Sequence, residues 1–304
     1  MPATLQAFIA IFFLGALLRS SGLLVKIHAE RLAFVVFSIS LPATILVSLD
    51  RVVFAPTAWK LPLAAGLVTL SMLLCSWPVT RLLHLPRATR GGFLLGTGCI
   101  NSVYFAYPVV LATLGDKGLA QAILFDLGQT TLTLTVIYGL AVWHGARSAT
   151  ARSAMLRFVS SPPLWALCLS LLLTLLERHL PGWLHDTLTP IHLTTTPLAS
   201  LVLGLSISFS AVRRTWALAL LGVGMRMIGG LLLGFAVAYG LDLAGMERAI
   251  VILVAAMPSA VTAVIFATDT GLDEDLVTAI VALSICVGVA LLPWLPQLLF
   301  LLAG

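Results

Sequence analysis

INSVYFAYPVV, residues 100–110, interrupts a chain otherwise dominated by Leu, Val, Ala and Ile. Lipid cannot satisfy the amide of Asn101, and Pro108 removes a backbone donor and clashes with the carbonyl of Tyr104. The stretch reads better as two helices than as one. Proline is favourable at the first position of a helix, so Pro108 is expected to open a short second helix ending near Gly115, with residues 101–107 partly unwound. Irregular backbone is tolerated at membrane depth only when it is packed in protein or lines a wet cavity.

The solvent is lipid. Of 304 residues, 60% are hydrophobic and 10% charged, against about 25% charged in soluble domains. Helices satisfy their own backbone in hydrocarbon, and the alternating ten-residue segments of a membrane barrel are absent. The opening MPATLQAFIAIFFLGALLRSS lacks a basic start and meets its first positive charge only at Arg19, so it reads as a retained helix rather than a signal. The net charge of +5 is spread over short loops, which fits membrane topology and gives no nucleic-acid partner. Cys75, Cys99, Cys168 and Cys286 sit far apart in apolar runs, as small hydrophobes do. Neither disulfides nor a metal site are indicated, and no cofactor is expected.

A span needs about 20 apolar residues. Cutting at charged or turn-like punctuation gives ten, near 4–22, 31–50, 60–83, 91–115, 118–143, 161–180, 187–210, 215–241, 248–269 and 275–302. Eleven basic residues, from Arg19 to Arg214, follow spans one, three, five and seven; five (Arg51, Lys60, Lys117, Arg178 and Arg248) lie on the other side. The bias places the odd-numbered loops in the cytoplasm and both termini outside.

The opening motif has a second copy. YPVVLATLGDKGLAQAIL from Tyr107 aligns with MPSAVTAVIFATDTGLDEDLVTAIV from Met257, and SLPATILVSL around Pro42 echoes TTPLASLVLGL around Pro197. The fold expected is all-α: ten transmembrane helices as two inverted five-helix repeats, with broken helices four and nine crossing. Residues 1–143 form the first repeat, 144–160 a cytoplasmic linker and 161–304 the second repeat.

Inversion brings the breaks at Pro108 and Pro258 together near the midplane. Two helix N-termini there favour an anion, and Arg226 in span eight adds a full charge. Two readings stay open for Arg226 and Asp126. They neutralise each other or bind backbone carbonyls for packing, or Arg226 helps hold an anion while Asp126, with Gln129 one turn on, serves proton or cation coupling. Ser102, Ser259 and Thr262 flank the breaks and either line a site or cap backbone. Thr130, Thr131, Thr133 and Thr135 are expected to bond between helices. The Asp269–Asp275 cluster reads as a C-cap and N-cap pair around Gly271.

These residues resemble the auxin efflux carrier family, which includes the plant PIN auxin exporters and bacterial malonate-type carriers. The resemblance covers essentially the whole chain and is strongest in NSVYFAYPVVLATLG and in AAMPSAVTAVIFATDTGLDEDLVTAIVALSICVGVALLPWL. It implies crossed spans four and nine, a scaffold of spans one, two, six and seven, and a mobile unit made of the rest. Substrate would sit near Asn101 and move by an elevator-like shift. Val103 and Ala106 stand where the family often has glycine, and the short central loop suits a compact bacterial type. The function expected is secondary or facilitative transport of a small organic anion, such as malonate or an auxin-like acid, across the bacterial inner membrane. A sodium-coupled symporter of the bile-acid type and a non-transporting membrane sensor are the alternatives. Proton or sodium coupling and homodimer formation stay open. An enzyme is not expected, since no nucleophile–base pair, metal cluster or phosphate loop is evident.

Overall fold

The structure is a computed structural model, and it describes residues 2–295 except 25, 51, 53–55, 148–155, 157, 158 and 208. Arg51, Arg152, Arg157, most of the expected linker and the end of the tenth expected span lie outside the described residues.

Every regular element among the described residues is helical. Prolines mark several helix starts, with Pro2, Pro86 and Pro181 as N-caps and Pro42 and Pro162 in first turns, where a missing N–H leaves nothing unpaired. The first helices are α1 (Ala3–Ser20), α2 (Lys26–Val35), α3 (Leu41–Leu49), α4 (Lys60–Leu82), α5 (Arg87–Gly98), α6 (Tyr107–Leu132) and α7 (Tyr138–His144). After them come α8 (Pro162–Leu175), α9 (Gly182–Leu205), α10 (Phe209–Gly224), α11 (Gly230–Gly240), α12 (Gly245–Ala255), α13 (Val261–Thr270) and α14 (Glu274–Leu291). Four π-helical turns, Val36–Ser40, Ser102–Ala106, Thr133–Ile137 and Met225–Gly229, join consecutive pieces. Such turns collect at functional positions. Here each contains or adjoins a polar residue that bonds away from its own turn.

Among the described residues, seven helices are long and apolar enough to cross a bilayer, while Pro162–Leu175 and Val261–Thr270 are apolar but shorter. The expected boundary between spans four and five is present at Gly115, whose backbone (φ 66°, ψ −167°) is not helical, so Tyr107–Leu132 is two helices that meet there. That backbone region is open to glycine and closed to most other residues. The acidic cluster behaves as expected: Gly271 ends α13 in the left-handed conformation, and Asp273 caps α14 by accepting from Leu276 N–H.

The outer surface suits lipid. Leu74, Leu82 and Leu175 are 74–81% exposed, more apolar surface than water tolerates. Trp59, Trp143, Trp165, Trp183 and Trp294 are also exposed and lie at or near helix ends, as interfacial tryptophans do.

The chain divides into two compact units. The first comprises Met1–Ala58, Val103–Ile123 and Leu156–Ile207. In it α1 and α9 meet through glycines. A Cβ at Gly204 would overlap the Phe12 carbonyl oxygen, and one at Gly15 would lie 2.8 Å from Leu201 O. Small residues permit such approach where no hydrophobic force drives helices together. Gly204→Leu is expected to separate α1 from α9 and cost about 1–3 kcal/mol through overpacking, read as a lower midpoint of thermal unfolding in detergent. Gly240→Ala, with open space around it, is the control that should leave the midpoint in place.

The second unit comprises Trp59–Ser102, Leu124–Met155 and Ser208–Gly304. Its core packs Phe93 of α5 with Ala219 and Val223 of α10 and Leu276, Ala279 and Ile280 of α14.

Candidate functional site

Two helices of the second unit end in the middle of apolar sequence, α5 at Gly98 and α12 at Ala255. The chain beyond each is extended, at Cys99 (φ −84°, ψ 125°) and at Ala260 (φ −73°, ψ 138°). The extended pieces pair with each other. Asn101 N–H donates to Pro258 O at 2.9 Å and Ala260 N–H donates to Cys99 O at 3.2 Å. Ile100 and Ser259 thereby face one another across a single antiparallel rung.

This rung follows from where the backbone groups must go. A helix leaves its last four carbonyls without partners, and a buried one must find a donor. At the end of α5, Thr97 O accepts from Arg226 Nη1 at 2.9 Å, Gly98 O from Gln129 Nε2 at 3.4 Å and Cys99 O from Ala260 N–H. At the end of α12, Ala255 O accepts from Arg226 Nη2. Beyond it Pro258 O accepts from the Asn101 backbone, and Ser259 O from Asn101 Nδ2 at 3.3 Å. Ser259 N–H donates to Ser284 Oγ at 3.0 Å. Pro258 brings no N–H that would need a partner.

Arg226 is fully buried. Its guanidinium joins the C-termini of α5 and α12, each carrying about half a negative charge. The π turn Met225–Gly229 carries the arginine, and Gly230 one turn on leaves it room. A Cβ at Gly230 would overlap Ala255 O and come within 2.5 Å of Nη2. Both Nη atoms thus bind backbone carbonyls.

Gln129 is buried and also accepts from Thr69 Oγ1, while its Nε2 reaches Thr133 Oγ1 at 3.1 Å. Asp126, one turn earlier and half-buried, accepts from Thr130 Oγ1 at 3.3 Å. Ser102 Oγ, Ser259 Oγ and Arg226 Nε are buried without a hydrogen-bond partner among the described residues. Thr262 lies exposed in the first turn of α13.

Three expectations need correction. The extended residues are Cys99–Asn101, whereas residues 102–106 are wound in a π turn. Pro108 therefore comes second in α6 and does not open the new helix, the wide turn ahead of it absorbing the clash. Thr130, Thr131, Thr133 and Thr135 bond within their own helix, to Asp126, Leu127 O, Gln129 and Thr131 O. Hydroxyls commonly bond back one turn in this way. Three participants escaped the sequence reading, the first being Thr69, the donor to Gln129. Gly230 was signalled by its place four residues after a buried arginine. Ser284, inside LSICVGV, carried no signal.

Residues 3–295 match the model of a family described as membrane transport protein. The chain belongs to that family, the auxin efflux carriers. It is 29% identical over 294 residues to an uncharacterized transporter of Methanothermobacter thermautotrophicus, covering 95% of each chain. An uncharacterized transporter of Methanocaldococcus jannaschii is 26% identical over 267 residues, 85% of each chain. The protein is thus a multi-pass membrane transport protein, and as a family member it lies in a lipid bilayer. The paired breaks are features of a carrier's interior.

Proposed function

We propose that this family member carries a small organic anion, a carboxylate of the malonate or auxin-like kind, across the plasma membrane by elevator-type alternating access. In this reading the chain crosses ten times as two inverted five-span repeats, with both termini outside. The breaks after α5 and α12 are the crossing of spans four and nine. The single rung between residues 99–101 and 258–260 carries the proposal, because it leaves helix ends and polar side chains in an apolar interior.

The anion is held where α13 begins. The first N–H groups of a helix have no intrahelical acceptor and carry partial positive charge. The unpartnered hydroxyls of Ser102 and Ser259 lie next to the rung in the chain and serve as donors. Asn101 fixes the rung, and Thr262 presents a further hydroxyl from the first turn of α13. Arg226 acts through its charge and its hold on the crossing, since both Nη atoms serve carbonyls. Pro258 lies in the break after α12, Pro108 sits second in α6 behind the wide π turn, and Asp126 with Gln129 forms the coupling or gating element.

Purified protein in liposomes should accumulate labelled malonate or indole-3-acetate down an imposed anion gradient. Replacing both Pro108 and Pro258 by alanine should reduce that flux at least tenfold while insertion persists. Anion binding without flux would instead make the protein a sensor. Flux abolished by replacing sodium would make it a symporter of the bile-acid type. Normal flux in the double variant would overturn the role of the breaks.

A further inference from the structure

The first unit holds a titratable side chain for which the crossing has no use. His192 of α9 is 4% exposed and sits at the edge of a buried hydroxyl cluster. Its Nδ1 is 3.2 Å from Thr44 Oγ1, which is 2.7 Å from Thr195 Oγ1. Both hydroxyls also approach Ser40 O, at 2.9 and 3.2 Å. On its other side His192 Nε2 lies 3.7 Å from Asp116 Oδ1. Asp116 follows the Gly115 kink directly, and its side chain is 63% exposed.

The neutral ring has one hydrogen to serve two neighbours. With it on Nδ1 the ring donates to Thr44 and leaves a bare Nε2 facing Asp116; with it on Nε2 the ring accepts from Thr44 and turns its N–H toward the carboxylate. A second proton lets the ring donate to Thr44 and face Asp116 with a positive charge at once.

Other charges stand away from the ring. α1 runs beside α9 with Ser200 at Phe8 and Gly204 near Gly15. Arg19 therefore lies beyond Gly204, at least about 18 Å along the axis from His192. The second span runs the opposite way, since Thr44 meets His192 while Ser40 meets Thr194. That sense carries His28, Glu30 and Arg31 toward the same distant end. Asp50, past Thr44, is engaged by His179 and His185 at 3.7 and 4.0 Å, and His185 is two turns from His192 on α9. Lys117 is exposed.

We propose that His192 and Asp116 form a proton-binding site, whose occupancy ties the segment Val103–Ile123 to α9. The segment begins immediately after Ser102, so fastening it restrains the second half of the broken span. Its consequence for flux rests on the transport reading above: the protonated pair slows the carrier, and flux rises as the pH rises.

The test uses the full chain in liposomes with 15N-histidine labelling and magnetic resonance over a pH series, His192→Gln identifying the signal. Expected are uptake of a second proton by the His192 ring and about tenfold weaker proton binding in Asp116→Asn. Proton binding unchanged in Asp116→Asn, or no second proton taken up by the ring, overturns the site. Malonate flux over the same pH series should rise with pH in the parent and flatten in both variants. A rise that persists in both variants, or an opposite slope in the parent, overturns the tie. Absence of flux in the parent would count against the transport reading alone, because the resonance titration needs no substrate.

Discussion

Arg226→Ala is expected to unfold at a markedly lower temperature and to transport little. Removing the guanidinium leaves Thr97 O and Ala255 O buried without donors. At about 1–3 kcal/mol for each such group, the loss is about 2–6 kcal/mol. The thermal midpoint in detergent, followed by tryptophan fluorescence, measures it. Gly230→Ala should reproduce much of the defect with the arginine still present, because its Cβ overlaps Ala255 O. Arg226→Lys should recover part of it, since an ammonium has donors but lacks the planar fork. If Arg226→Ala melts like the parent and loses only anion affinity, the arginine is a ligand and does not fasten the crossing.

Asn101→Asp should be the most damaging isosteric change at the crossing. Asn101 Nδ2 donates to Ser259 O at 3.3 Å. A carboxylate there would set acceptor against acceptor, and ionised it would be a buried charge costing several kcal/mol. It would also repel an anion. Asn101→Ala removes one bond, worth about 1 kcal/mol, and should keep measurable malonate flux while Asn101→Asp keeps none. Flux also depends on ionisation, so Asn101→Asp should regain some activity at low pH, where the carboxyl is neutral. Equal activity in the two variants at every pH would show that the amide has no part in the crossing.

The sequence disclosed the breaks because asparagine and proline are conspicuous among leucines, and because AAMPSAV repeats the signal. It misplaced the unwinding by two residues. The choice between a loosened coil and a π turn depends on where carbonyls find donors, and those donors come from residues 129, 226 and 260, far along the chain. Arg226 was visible as a buried charge, but its partners are carbonyls, which every residue has and no sequence distinguishes. Gln129 was noticed as a neighbour of Asp126, whereas its amide reaches Gly98 O. His192 stands in the apolar start of the seventh expected span, with nothing local to mark it. Its contacts with Thr44 and Asp116 join residues 148 and 76 positions away, beyond the reach of any local pattern.

The rung between Cys99–Asn101 and Pro258–Ala260 is made by main-chain groups and strengthened by one asparagine amide. The side chains of Cys99, Ile100 and Met257 donate nothing to it. Mutation can therefore alter the lining beside the crossing without loosening the crossing itself. One scaffold can diversify its cargo through small substitutions at those neighbours, while Arg226 and Gly230 tolerate almost none.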